Sequence, residues 1–246
     1  MDAPVGFGLV NESKFITDAD LQTMAAALEI QFQRDFCPAY NLPPLPVKAF
    51  RPLDKIPSGY LMMHFSDQVT DEQALGYHTD AGGNIYAEIE ITILKGYGCG
   101  VLSTDPASGG GPDSISSVAS HELLEMAFDP MASLWTPMKF PIDGTSMASE
   151  VADPVQESYY HINGVQVSDF VLPPYWIMGE GKSGVKYDYL GIITKPFEIA
   201  PGGYAMVSDS NGNVTSSFGA RPPAKLRLDR RSRRKAMRVL NKLQKV

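Results

Sequence analysis

Only two of the 246 residues are cysteine, Cys37 and Cys99. Two cysteines do not make a disulfide framework, and so sparse a usage fits a reducing compartment. Neither has an adjacent base in sequence, which argues against a thiol nucleophile. No apolar run approaches the ~20 residues that a membrane-spanning helix needs. The N-terminal MDAPVGFGLVNESKF lacks a basic region followed by an apolar stretch, so no secretory signal is read and a cytoplasmic location is expected. Internal repeats are missing too. The run Gly109-Gly110-Gly111 lacks the Lys-Ser/Thr of a phosphate loop and reads as flexible chain. What is present is a globular balance: 43% hydrophobic and 20% charged residues, enough for a sizeable core. The 19 prolines and 22 glycines are spread along the chain, which points to a loop-rich mixed fold.

Charge is unevenly placed. Residues 221–246 hold eleven Lys or Arg against Asp229 alone, a net +10, while the preceding 220 residues carry −17. An acidic body with a basic tail marks a boundary near Gly219, giving a domain over 1–220 and a basic arm over 221–246. Within the arm, Met237, Leu240 and Leu243 recur every three residues among the basic ones. This pattern suits a short basic helix on nucleic acid, an acidic protein or an anionic membrane, or else a solubilising tail without structure.

The body reads as α+β. Thr17 can cap a helix with Asp18 and Asp20 in its first turn. Leu21, Met24, Ala25, Leu28 and Phe32 follow at helical spacing, and Pro38 is expected to stop it. Strands are expected at residues 47–53, 60–65 and 85–93, the last alternating with period two. A loop is expected to hold Gly76, Tyr77 and His78. Asp113 or Ser114 can cap a second helix, which Asp129-Pro130 ends. Asn163-Gly164 is a strong hairpin signal, and Asn211-Gly212 predicts a second hairpin.

The second helix carries the chemistry. It contains Ser120-His121-Glu122-Leu123-Leu124-Glu125, one residue away from the HExxH pattern of zinc hydrolases. Positions four apart share a helix face, so His121 and Glu125 can address one ion. Glu122, rotated off that axis, is the candidate general base. Ala119, Leu123, Met126 and Ala127 would form a core-facing stripe opposite an acidic face. A third ligand must come from elsewhere, and Glu150 or Asp153, in Glu150-Val151-Ala152-Asp153-Pro154, is the candidate. Replacing a histidine by a carboxylate hardens the ligand set, so Mn, Mg or Ca become better tolerated.

These segments resemble a family of zincin-like, mostly uncharacterised bacterial and phage proteins. The matching strings are Ala74-Leu75-Gly76-Tyr77-His78, Ser120 to Met126 with Asp129-Pro130, Glu150 to Pro154, and the run INGVQVSDFVLP over 162–173. The likeness covers roughly residues 20–180 and leaves the basic arm out. It implies a zincin-like α+β fold, a mixed sheet with the motif-bearing helix, and a bound Zn2+ or another divalent cation. It further implies a sheet edge strand along the cleft above that helix, for which residues 85–93 are well placed. A polypeptide pairing with that edge is then the expected substrate. The activity implied is a metal-dependent hydrolase of peptidase type. The phage members imply a rival: a structural virion component on a catalytically degenerate domain, with neighbouring virion subunits as partners and the arm for assembly.

The remaining candidates have competing readings. His78 can orient substrate or bind metal, or be an ordinary loop histidine. Tyr77 can stabilise an oxyanion or simply pack. Asp129 can extend the acidic face or end the helix. His64 reads as a packed strand residue and His161 as plain surface.

Overall fold

In a computed structural model, residues 3–72, 74–104 and 113–220 are described. The Gly109-Gly110-Gly111 run and the basic arm 221–246 lie outside them. The body is a mixed α+β fold. Its main sheet has five strands in the order β2-β1-β3-β5-β4. These are β1 (Gly6–Glu12), β2 (Val47–Phe50), β3 (Tyr60–Ser66), β4 (Gly76–Ala81) and β5 (Asn84–Glu90). β2, β3 and β5 join in parallel, while β4 runs antiparallel to β5 and closes one edge. No described helix is long and apolar enough to cross a membrane.

Strand β1 is invisible in the sequence because Gly6 and Gly8 break its hydrophobic pattern. The structure shows why they are glycines. A Cβ on Gly6 would stand 2.6 Å from the Tyr60 ring, and one on Gly8 would stand 3.0 Å from the Met62 side chain. Flanking strands lay their side chains across β1, and only glycine leaves room. β2 ends at Phe50, short of the expected 53, where Arg51 enters a turn closed by Asp54.

The first helix, α1 (Asp18–Ile30), starts at the Thr17–Asp20 capping box. It does not stop at Pro38. It widens into a π-helical turn over Gln31–Phe36, and α2 (Cys37–Tyr40) continues with Pro38 in its first turn. The wider turn, in which Cys37 N–H reaches the Phe32 carbonyl, runs up to the proline, which withdraws one N–H from the helical bonding without ending it. Left-handed Asn41 (φ 53°) ends the run.

The stretch expected as one strand over 85–93 splits. β5 ends at Glu90, and Ile91–Gly96 forms α3, which buries Ile91 and Leu94 one turn apart. β5 is also an interior strand between β3 and β4. The edge strand is β4, in the segment expected to be a loop.

Beyond the sheet come α4 (Ile115–Phe128), β6 (Trp135–Pro137), β7 (Ser146–Ala148), β8 (Tyr159–Ile162), β9 (Val165–Ser168), β10 (Tyr204–Ser208) and β11 (Val214–Phe218). Both expected hairpins form, β8–β9 and β10–β11. At the first, Asn163 and Gly164 both have positive φ (51° and 84°), as a type I′ turn requires. α4 packs against β4, β5 and β9.

Candidate metal centre

Ser114 caps α4 by accepting from Ser117 N–H, and Ser117 returns the bond. The helix is then fixed laterally by a buried polar ring. Ser120 donates to Gln31 Oε1 (2.7 Å), Gln31 Nε2 donates to the Ser168 carbonyl (2.8 Å), and Ser168 N–H donates to Ser120 Oγ (2.9 Å). Gln31 opens the π-helical turn. The only expectation for this face was apolar packing.

The helix is not divided into an apolar and a solvated acidic side. His121, Glu122 and Glu125 are 3%, 0% and 1% exposed, as buried as Leu123 and Met126. An ordinary solvated acidic face is thereby excluded. Two elements cover it. One is β4; the other is the segment 149–155.

The sheet register explains the contribution of β4. His78 pairs with Ala87, Ala87 with Met63, and Met63 with Leu9. Paired residues share a face, so His78 extends a row of core side chains. Gly76, two residues earlier on that face, lies so close to α4 that a Cβ would stand 2.9 Å from Val118 Cγ1. Tyr77 points the other way. Its hydroxyl is 2.6 Å from Thr70 Oγ1, which itself donates to the buried Glu90 carboxylate (2.7 Å). The structure does not bring Tyr77 to the other candidates.

Segment 149–155 is pinned by its backbone. Ser149 N–H reaches the Leu134 carbonyl, the Val151 carbonyl accepts from Val171 N–H, and the Pro154 carbonyl accepts from Ala200 N–H. Glu150 and Asp153 are thereby held at 5% and 4% exposure.

His121 Nε2 lies 2.9 Å from Glu125 Oε1 and 3.1 Å from Asp153 Oδ1. Ala152 N–H donates to the same Glu125 oxygen at 3.4 Å, steadying it. His78 Nδ1 lies 3.4 Å from Glu122 Oε2 and 3.8 Å from Glu125 Oε2, while its Nε2 is 3.0 Å from the Asp129 carbonyl oxygen. Two sets have ligand atoms mutually within 4.8 Å: His121, Glu122 and Glu125, and His78, Glu125 and Glu150. Metal–ligand bonds of ~2.0–2.2 Å place adjacent ligands roughly 3 Å apart. The His121 contacts match that spacing, and the donor types are those of a divalent-cation site. These buried His and Glu groups can therefore hold a metal ion.

Asp129 ends α4, as its position before Pro130 implies. Its N–H donates to the Glu125 carbonyl (2.7 Å), its carboxylate accepts from Leu134 N–H (2.8 Å), and its own carbonyl anchors His78. Nearby, burial pushes the Tyr175 hydroxyl pKa up, and the charge of Asp153 adds to the shift. His64 pairs with Glu12 at 3.0 Å, and His161 stands exposed with Ser103 at 3.3 Å. Neither belongs to the cluster.

No family model matches this chain, and neither does any curated protein or solved structure.

Proposed function

We propose that the chain is a metal-dependent hydrolase of zincin-like type, with His121 and Glu125 holding a divalent cation, Zn2+ by preference, Asp153 or Glu150 completing the set, and Glu122 acting as general base. The observation that carries this is the convergence of Glu125 and Asp153 on His121 Nε2 at 2.9 and 3.1 Å in a buried site. Such an ion supplies Lewis acidity that polarises a substrate carbonyl. Glu122 takes a proton from the attacking water and passes it to the leaving amine. Rigid anchoring of α4 through Ser120 and Gln31 keeps Glu122 and the ligands in fixed relation. A polypeptide is the substrate class we favour, because β4, which ends the strand order among the described residues, carries His78, and an extended chain could pair along it.

In the full-length protein, Glu122→Gln should lower peptide hydrolysis by roughly 10²–10⁴-fold while metal content by elemental analysis stays unchanged. A variant as active as wild type would overturn the role of Glu122.

One observation favours a second reading. Every candidate ligand is at most 7% exposed, and closed sites are the mark of structural metals. A domain stabilised by its ion and built into a phage particle, with the 221–246 arm meeting neighbouring subunits or nucleic acid, would bind metal and hydrolyse nothing. Deleting 223–246 would then block assembly.

A further inference from the structure

We infer that the site is built for two divalent cations, with Glu125 as the shared carboxylate; the inference rests on the metal-binding reading above and extends it. Its starting point is the tautomer of His78. The Asp129 carbonyl can only accept, so His78 Nε2 carries the proton. Its Nδ1 faces Glu122 Oε2 at 3.4 Å and Glu125 Oε2 at 3.8 Å. His78 is also within ligand-sharing distance of Glu125 and Glu150, and that set shares Glu125 with the His121 set. An imidazole whose far N–H is fixed by a backbone carbonyl is also the usual support for a metal-ligating histidine.

The two sides of the cluster are alike. On one, His121 meets Asp153 and Glu125 Oε1. On the other, His78 groups with Glu150 and faces Glu125 Oε2. Each side thus has one imidazole and one carboxylate of its own, and the two oxygens of Glu125 point one to each. Glu122 stands between them, grouped with His121 and 3.4 Å from His78. Glu150 and Asp153 are therefore not rivals for one ligand position: each serves its own ion.

The test uses the full chain, freed of metal by a chelator and titrated with Mn2+, with bound ions counted by elemental analysis and observed by electron paramagnetic resonance. Two ions per chain and a spin-coupled spectrum are expected. His78→Gln and Glu150→Gln should each leave one ion with an isolated six-line signal, and its affinity should stay within about threefold of the tighter wild-type site. His78→Ala serves as the second variant at that position, and a circular-dichroism melt checks the fold of each. One ion in wild type, lost in His121→Ala but kept in His78→Gln, overturns the two-ion site and leaves the single-ion reading standing. Two ions without spin coupling overturn the bridge. No bound ion under any condition overturns both readings.

Discussion

Asp169 shows how much one proton matters in this fold. It is fully buried; its Oδ1 accepts from Phe170 N–H (2.8 Å) and Leu190 N–H (3.2 Å). Asp188 beside it accepts from Ile192 and Ile193 N–H at 2.9 and 2.7 Å. Burial, and then the neighbouring Asp188, push the Asp169 pKa from 3.8 up to about 9. At neutral pH Asp169 keeps its proton and shares it with Asp188. The folded pKa exceeds the unfolded one, so the native state binds more protons between those values. The stabilising contribution is complete below pH ~4 and fades toward pH ~9, by at most ~1.4 kcal/mol per pH unit. Asp169→Asn supplies an N–H donor that does not titrate. We expect the wild-type unfolding midpoint to fall between pH 5 and 8.5 and the variant's to fall much less; equal slopes would refute this. The residue scale also decides what the sequence could reveal about the site. His121, Glu125 and Asp153 were readable because helical spacing and a short downstream acidic string place them. His78 stands out in sequence only as one of two readings, ligand or plain loop histidine, because the group that holds its ring is a main-chain carbonyl 51 residues away.

Among the elements, α4 and both hairpins announce themselves through local chemistry: Ser114 and Ser117 cap the one, and Asn-Gly turns mark the others. Three features are set by neighbours and so leave no local signal. β1 needs glycines where strands usually lack them. The π-helical turn begins at Gln31, whose side chain bonds Ser120 and the Ser168 carbonyl far along the chain. β4 looks like a loop, since Gly76, Thr79 and Asp80 are poor strand formers, yet the ladder to β5 and the face of α4 make it a strand. Gly76 gives a test of that packing. Gly76→Val places a Cβ 2.9 Å from Val118 Cγ1, and such overpacking typically costs about 1–3 kcal/mol. The unfolding midpoint should drop and Mn2+ affinity should weaken about tenfold as His78 moves off the cluster. Gly96→Ala, with nothing within 4 Å of its new Cβ, is the matched control and should leave both unchanged. Equal affinity in Gly76→Val and wild type would separate β4 from the site.

For the whole molecule, the ligand candidates span residues 78 to 153 and come from a strand edge, a helix and a pinned loop. An ion that joins all three binds only the folded chain, so it must stabilise the fold globally. At about 100 times its dissociation constant one ion adds ~2.7 kcal/mol. Titrating Zn2+ or Mn2+ into chelator-treated protein should raise the unfolding midpoint steadily with metal concentration. A midpoint that stays put would mean no ion bridges these elements. The fold class was legible in the sequence because hydrophobic periodicity and turn residues act over short distances. The strand order was not, because it depends on which elements meet. One structural detail then carries into time. Among the described residues, β4 is six residues long and hydrogen-bonded to the sheet through β5 alone, whereas α4 and segment 149–155 are enclosed. Local opening begins where the ladder is one-sided. An ion seated on His78 would then leave when the edge strand peels, and its residence time would be a property of that strand rather than of the metal's own bonds.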